Sequence, residues 1–115
     1  MEDKTCHGVE VAIDAMAGKW KPIILFHLME NKVMRFNELK RSIPNITQKM
    51  LTSQLRELEY HHIVHRKVYP QVPPKVEYSL TDYGQSIIPI LKSMQKWGTS
   101  HFEHLNKNDK EQARE

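Results

Sequence analysis

The sequence predicts a mainly α fold with one small β-hairpin, because apolar residues recur at helical spacing along most of the chain and alternate at strand spacing in one segment. The alternation begins beyond Ile63 and is interrupted at 70–74, where prolines suit the tip of a hairpin. With 115 residues, the chain has the length of one domain with its own hydrophobic core. We therefore expect a single α+β domain over residues 1–105 and a polar tail over 106–115.

The first two helices are predicted from a glycine and a proline as well as from periodicity. Gly18 stands where a first helix would need a C-terminal cap, and Pro22 fits the first turn of a second helix. Apolar residues between 23 and 28 lie almost all round that second helix, so it should be central to the core. It should end near Asn31.

Two further helices joined by a tight turn should follow. Residues 34–36 can form a short strand, after which Asn37 can cap a third helix. Pro44-Asn45 enforces a turn, and Thr47 is a suitable N-cap for a fourth helix. The fourth helix has only a narrow apolar stripe, at positions i, i+4 and i+7, formed by Leu51, Leu55 and Leu58.

The fourth helix carries a polar face on the side away from its leucines. At about 100° per residue, this face holds Lys49, Thr52, Ser53 and Arg56, with Gln48 in the exposed first turn. A short helix, a tight turn and a helix with a free hydrogen-bonding face make a helix-turn-helix. The second helix of such a motif is shaped to enter the major groove of DNA.

The hairpin that follows has the character of a wing. Its strands, near 64–68 and 76–80, are flanked by basic residues, and its proline-rich tip should project into solvent. From Arg35 to Lys75 the chain holds eight Lys or Arg and three Glu, an excess that suits a polyanion. The alternatives are a solvated basic face and an ordinary edge hairpin. Together with the helix-turn-helix, the pattern predicts a winged helix-turn-helix whose DNA-binding core spans about 19–80.

The last helix carries an apolar stripe beyond what a small core needs. Thr81 can cap this helix, and Pro89 should bend it. We expect the stripe to form a dimer seam with the first helix, so that dimerisation helices span about 6–18 and 82–105. The alternative is that the stripe covers the core of its own chain. The expected interface residues are Val9, Ile13, Leu91, Met94, Trp97 and Phe102.

Five short motifs between Cys6 and Trp97 carry a resemblance to a known family. They are Gly18-Lys19-Trp20, Arg35-Phe36-Asn37-Glu38-Leu39, Gln48-Lys49-Met50-Leu51-Thr52 with Leu55-Arg56-Glu57-Leu58-Glu59, Pro73-Pro74-Lys75-Val76-Glu77-Tyr78, and Leu80-Thr81-Asp82-Tyr83-Gly84. The chain thereby resembles the HxlR-type branch of the MarR-like winged-helix transcription regulators of bacteria. The resemblance implies a homodimer that binds an operator and controls a neighbouring gene. The chain departs from the family at His61-His62, where an Asp-Gly or Asn-Gly-like turn is common.

Nine residues are expected to contact double-stranded DNA, and they differ in chemistry. Polar side chains on the free helix face should read base edges, whereas most of the basic ones should hold phosphates. The base-reading group is Gln48, Lys49, Thr52 and Ser53; the phosphate group is Arg56, Lys67 and Lys75; Arg35 and Thr47 complete the set. A dimer of this kind should bind an inverted-repeat operator. We expect it to act as a repressor or dual regulator more readily than as an obligate activator.

The single cysteine, Cys6, is a candidate redox sensor. It precedes the first helix, where the helix dipole favours a thiolate, and Lys4 and His7 add positive charge. Relatives that the chain resembles carry a cysteine at the matching place and sense electrophiles or oxidants with it. Without a second cysteine in the chain, the chemistry would be an intersubunit disulfide, a mixed disulfide or alkylation. The alternative is an inert thiol.

Other functions have weaker support in the sequence. A metal-responsive regulator would use histidines whose spacing is loose: His61, His62, His65, His101 and His104. A winged-helix module that binds a protein and not DNA is a better rival, although the polar face of the fourth helix argues against it. No phosphate-binding loop or nucleophile motif predicts an enzyme, and no cofactor is expected. With an acidic start and short apolar runs, the chain is expected to be cytoplasmic.

Overall fold

The structure, a computed structural model, describes residues 7–113, with side chains described through residue 108. Two compact units are formed, one ending at Gln85 and the other beginning at Ser86. The mainly helical class with one small hairpin is confirmed. The elements are α1 (His7–Met16), α2 (Trp20–Asn31), β1 (Val33–Arg35), α3 (Phe36–Ser42), α4 (Gln48–Tyr60), β2 (Val64–Tyr69), β3 (Lys75–Leu80), a 3₁₀ turn (Tyr83–Ile87) and α5 (Ile88–Ala113).

The core of the first unit packs α4 against α2. Three residues of α2 and three leucines of α4 are at most 1% exposed. Full burial of such a side chain is worth roughly 1.5–3 kcal/mol, so these two helices supply much of the apolar stabilisation. The leucine stripe predicted for α4 is thereby confirmed, and its opposite side is left free. The six buried residues are Ile24, Leu25, Leu28, Leu51, Leu55 and Leu58.

The wing belongs to a three-stranded antiparallel sheet with the order β1-β3-β2. Arg66 pairs with Tyr78, and Lys67 pairs with Glu77. Because successive side chains in a strand point to opposite faces, Arg66 and Tyr78 share one face and Lys67 and Glu77 share the other. The predicted hairpin is confirmed, and the short strand predicted near Met34 is β1.

The N-terminal caps of the two motif helices differ from each other. Thr47 caps α4 as predicted, because its hydroxyl accepts a hydrogen bond from the Met50 N–H at 3.1 Å. The prediction that Asn37 caps α3 was wrong, since the helix begins at Phe36 and Arg35 is the N-cap. The side chain that acts at this helix start is the Glu38 carboxylate and not the Asn37 amide. Glu38 Oε1 accepts a hydrogen bond from the Arg35 N–H at 2.7 Å.

The last helix begins later than predicted. The Thr81 hydroxyl accepts a hydrogen bond from the Gly84 N–H at 2.7 Å, so it caps the 3₁₀ turn and not α5. Pro89 lies in the first turn of α5, where its missing N–H needs no partner, and the predicted mid-helix bend was therefore wrong. The helix continues to Ala113 through most of the predicted polar tail. Neither this helix nor any other within residues 7–113 is apolar enough over a sufficient length to cross a membrane.

The end of α4 forms a Schellman arrangement at His61-His62, where the chain departs from the family that it resembles. The His62 N–H donates to the Glu59 carbonyl at 2.9 Å, and the Ile63 N–H donates to the Leu58 carbonyl at 3.0 Å. This geometry places His62 at φ 62°, in the left-handed region that favours glycine. The buried residues Leu58 and Ile63 provide the apolar pair that usually accompanies the motif.

Replacing His62 by Gly is expected to raise the free energy of unfolding by about 1 kcal/mol, because a left-handed backbone costs an L residue roughly that much. Urea denaturation followed by circular dichroism would measure the change. The matched control is His61→Gly, at a residue with φ −82°, which should lower the free energy of unfolding by about 0.5–1 kcal/mol. Equal effects of the two substitutions would contradict the role assigned to His62.

Candidate nucleic-acid interface

The polar face of α4 is open to solvent as a continuous surface. Residues of this face line one shallow depression, and all but the half-buried Thr52 are exposed. Because the opposite side of α4 is buried in the core, the free face has a fixed orientation relative to the wing. Hydrogen-bonding side chains held in this way can reach base edges in a major groove. The structure thus brings together five of the predicted contact residues: Gln48, Lys49, Thr52, Ser53 and Arg56.

An ion pair between a buried lysine and an exposed carboxylate attaches α4 to α2. Lys21 is 4% exposed, and its Nζ lies 3.1 Å from Glu57 Oε1. A buried ammonium requires a partner, so removing the carboxylate would leave an uncompensated charge. Gln54 Nε2 donates to the other oxygen of Glu57 at 3.4 Å. Sequence reasoning missed Lys21, since a lysine beside Trp20 and Pro22 has no local feature that predicts burial.

The basic residues predicted for the wing surround an aromatic ring. Lys67 Nζ lies 4.9 Å and Lys75 Nζ 4.7 Å from the centre of the Tyr69 ring, within cation–π range. Lys75 also pairs with Glu77 at 3.4 Å. A hydrogen bond from Tyr69, followed by the nearby Lys75, lowers the pKa of the Glu77 carboxyl and keeps it ionised. Both lysines lie on the sheet face that does not carry Arg66 and Tyr78.

A second basic surface lies between α3 and the wing tip. Arg35 and Arg41 line a groove of about 660 Å³ together with Lys75 and the tip prolines Pro73 and Pro74. Arg35 is exposed and Lys75 is half-buried. The structure therefore joins two predicted contact residues that are 40 positions apart in the chain, and it adds Arg41, which was not predicted.

Arg66 is a further residue that sequence reasoning did not assign to the site. Its Nε donates to Glu59 Oε1 at 3.3 Å, which connects β2 to the last turn of α4. The strand alternation places Arg66 in phase with Val64 and Val68, so its side chain shares a strand face with two apolar ones. The charge at an otherwise apolar position was the signal that could have identified Arg66.

The residues predicted for a dimer seam differ in exposure. No residue of α1 is buried, and Val9 and Ile13 are among its exposed apolar side chains. On α5, Trp97 is 68% exposed and its ring stacks on His101 with centroids 4.8 Å apart. Leu91 differs, at 2% exposure. Met94 and Phe102 are exposed like Trp97.

The remaining predicted site residues do not form a described cluster. Cys6 lies outside the residues that the structure describes. Within the described part of the chain, no group of three or more histidine, cysteine or acidic side chains is arranged to hold a metal ion. Two of the histidines considered for metal binding, His101 and His104, are near each other, with ring centroids 6.4 Å apart.

Comparison with known proteins finds a helix-turn-helix family and relatives described as transcriptional regulators. The family model described as HxlR-like helix-turn-helix matches residues 15–106. The uncharacterized HTH-type transcriptional regulator YybR of Bacillus subtilis (strain 168) is 56% identical over 97 residues, which cover 84% of this chain and 77% of that protein. The uncharacterized HTH-type transcriptional regulator YdeP, from the same strain, is 50% identical over 99 residues, which cover 86% of this chain and 77% of that protein.

The chain is also similar to solved structures of transcriptional regulators. The redox regulator HypR in its reduced form has a TM-score of 0.81 and 52% identity, covering 87% of this chain and 98% of that one. The reduced form of the transcriptional regulator YodB from B. subtilis has a TM-score of 0.70 and 39% identity, covering 81% and 90%. The resemblance noted from the motifs is thus confirmed, and the chain belongs to the HxlR-like helix-turn-helix family.

Proposed function

We propose that this chain is a transcriptional regulator, most simply a repressor, that binds operator DNA as a homodimer and responds to oxidants through Cys6. Membership of the HxlR-like helix-turn-helix family supports the regulator function. The observation that carries DNA binding is the exposed polar face of α4, whose opposite side is buried in the core. On this proposal Gln48, Lys49, Thr52 and Ser53 read bases.

The basic residues around that face would hold the DNA backbone. Arg56 extends the face of α4, whereas Arg35 and Lys75 line one groove at the wing tip. Contacts of this kind fix the register of the protein on the duplex and release counterions. Lys67, on the same face of the wing as Lys75, would contribute in the same way, and Thr47 would act at the start of α4.

A homodimer is proposed because both predicted seam helices expose apolar side chains. Val9 and Ile13 on α1 and Trp97 on α5 are each more than half exposed in the single chain. Exposed apolar surface of this extent is commonly covered by a partner. Two-fold symmetry would place two copies of α4 about one DNA turn, roughly 34 Å, or a multiple of it apart.

Oxidant sensing is proposed from the position of Cys6 and from two structural relatives. HypR is named a redox regulator, and YodB has also been solved in a diamide-treated form. Cys6 directly precedes α1, which begins at His7, so the helix N-terminus would favour its thiolate. Two Cys6 thiols in a dimer could lose two protons and two electrons to an oxidant such as diamide and form one disulfide.

Selection of duplexes from a random-sequence pool by the full chain would test the proposed function. We expect enrichment of an inverted repeat whose half-sites are centred about 10 base pairs, or a multiple of one DNA turn, apart. Failure to enrich any duplex would contradict DNA binding. Enrichment of a single unsymmetrical half-site would contradict the homodimer while leaving DNA binding intact.

Replacing Cys6 by Ser is expected to separate sensing from DNA binding. The variant should bind the selected operator like the wild type but should not respond to diamide. Oxidised wild type should lose more than a hundredfold in operator affinity if the subunits shift enough to forfeit about 3 kcal/mol of half-site contacts. Fluorescence anisotropy with and without diamide would measure both. A Ser variant that responds as the wild type does would contradict the sensor role of Cys6.

A further inference from the structure

A cleft separates α4 from the face of the wing that carries Arg66 and Tyr78. It has a volume of about 450 Å³ and is lined by Thr52, Arg56, Glu59, Tyr60, Arg66 and Tyr78. Four of these residues come from α4 and two from paired positions of β2 and β3. The cleft is contained within the first compact unit, so its walls are fixed by the same core that orients α4.

The side chains that line this cleft carry more positive than negative charge. Arg56 and Arg66 bring two positive charges, and Glu59 brings one negative charge. Arg66 uses Nε for its 3.3 Å contact with Glu59, and within residues 7–108 no other hydrogen bond or ion pair engages its guanidinium. Arg56 has no such partner in the same part of the chain. The cleft therefore has guanidinium donors in excess of its own acceptors.

A phenol at the base of the cleft adds a neutral donor. Tyr78 is 8% exposed, and burial, followed by the charge of Glu59, raises the pKa of its hydroxyl. The hydroxyl is therefore protonated at physiological pH and can donate a hydrogen bond. Arg56 and Arg66 line the same cleft as this phenol, and their charges act on its pKa in the opposite direction.

We infer that this cleft binds one phosphodiester of the operator backbone, with Arg56 and Arg66 as the charged ligands and Tyr78 as a hydroxyl donor. This inference rests on the proposed DNA-binding function and adds a site to it. Thr52 and Arg56 belong both to the cleft and to the free face of α4, so a duplex against that face brings its backbone to the cleft. A planar guanidinium matches phosphate oxygens in geometry and charge.

Glu59 has a second role in this site, because it competes with the phosphate for Arg66. The carboxylate holds the guanidinium over the cleft in the absence of DNA, at a pair distance of 3.3 Å between partly exposed groups. It also repels a phosphate that approaches Arg66. Removing only the charge of Glu59 should therefore strengthen DNA binding, whereas removing Arg66 should weaken it.

The test measures the affinity of full-chain variants for the operator recovered by selection with wild-type protein, as a function of salt concentration. Arg66→Ala should lower affinity about tenfold at low salt and reduce the slope of log affinity against log salt by about one contact, with unchanged preference among operator variants. Glu59→Gln should raise affinity severalfold, and this gain should be smaller when the substitution is combined with Arg66→Ala. Lys92→Gln, which removes a charge from α5, is the control and should change neither quantity by as much as Arg66→Ala.

Several outcomes would overturn the inference. One is an unchanged salt slope for folded Arg66→Ala. Another is unchanged or weaker operator binding by Glu59→Gln, and this second variant keeps the inference testable if Arg66→Ala does not fold. Wild type that binds no duplex would overturn both this inference and the proposed function.

An NMR titration of wild-type protein would identify the ligand of the cleft. The Arg66 Nε–H resonance should shift with operator but not with the same concentration of inorganic phosphate. An equal shift with both would make the cleft a free-anion site and contradict the operator assignment.

Discussion

Replacing Trp97 by Glu is expected to convert the proposed dimer into a monomer and to lower operator affinity more than a hundredfold. Trp97 is 68% exposed in the single chain and stacks on His101 along the same side of α5 as the exposed Met94. In the proposed seam a carboxylate at this position would be removed from water without a partner. A monomer would lose one half-site, and a loss of about 3 kcal/mol corresponds to the expected fall in affinity.

Sedimentation equilibrium and operator titration would measure the two effects of Trp97→Glu separately. Thr99→Glu is a matched control, because it introduces the same charge two residues later, about 200° around the helix axis. Thr99 is also exposed. The control should remain dimeric and bind the operator. If Trp97→Glu also remained dimeric with full affinity, the interface would lie elsewhere on the chain.

Replacing Gly84 by Ala is expected to lower the free energy of unfolding by roughly 3 kcal/mol, the upper part of the range for overpacked sites. A Cβ at this position would overlap the backbone carbonyl oxygen of Ile63 and would lie 3.1 Å from Thr81 Oγ1. That carbonyl also accepts the Thr81 N–H at 3.0 Å, so it cannot move without loss of a hydrogen bond. Denaturation in urea at fixed protein concentration would measure the change.

The control for Gly84→Ala is Gly98→Ala in α5. Apart from the adjacent residues and the nearby backbone of the same helix, no heavy atom of the single chain lies within 4 Å of a Cβ at this position. This substitution should raise the free energy of unfolding by about 0.5–1 kcal/mol, because alanine is the better helix former. Sedimentation of both variants would establish that their oligomeric state is the same. Similar stabilities for the two variants would show that the carbonyl of Ile63 yields to a methyl group.

Local sequence patterns determined the elements that build the DNA-binding unit. The leucine stripe of α4, the Thr47 cap and the proline-tipped hairpin each depend on residues within a few positions of one another. Their periodicity and hydrogen-bonding chemistry are properties of the local chain. The same local rules failed at Asn37, Thr81 and Pro89. In each of these cases a neighbouring group, or an intervening 3₁₀ turn, changed where a helix begins.

The sequence by itself thus determined a winged helix-turn-helix with a free polar face on α4 and a basic hairpin. Only the tertiary structure decided which side chains meet across elements. Lys21 and Glu57 are 36 positions apart, and no periodicity relates them. Likewise, Arg66 reaches the cleft because the register of β2 and β3 turns its face toward α4, whereas Lys67 is turned away. The physical reason is that periodicity divides a strand into two faces, but packing against another element decides which face lies beside the site.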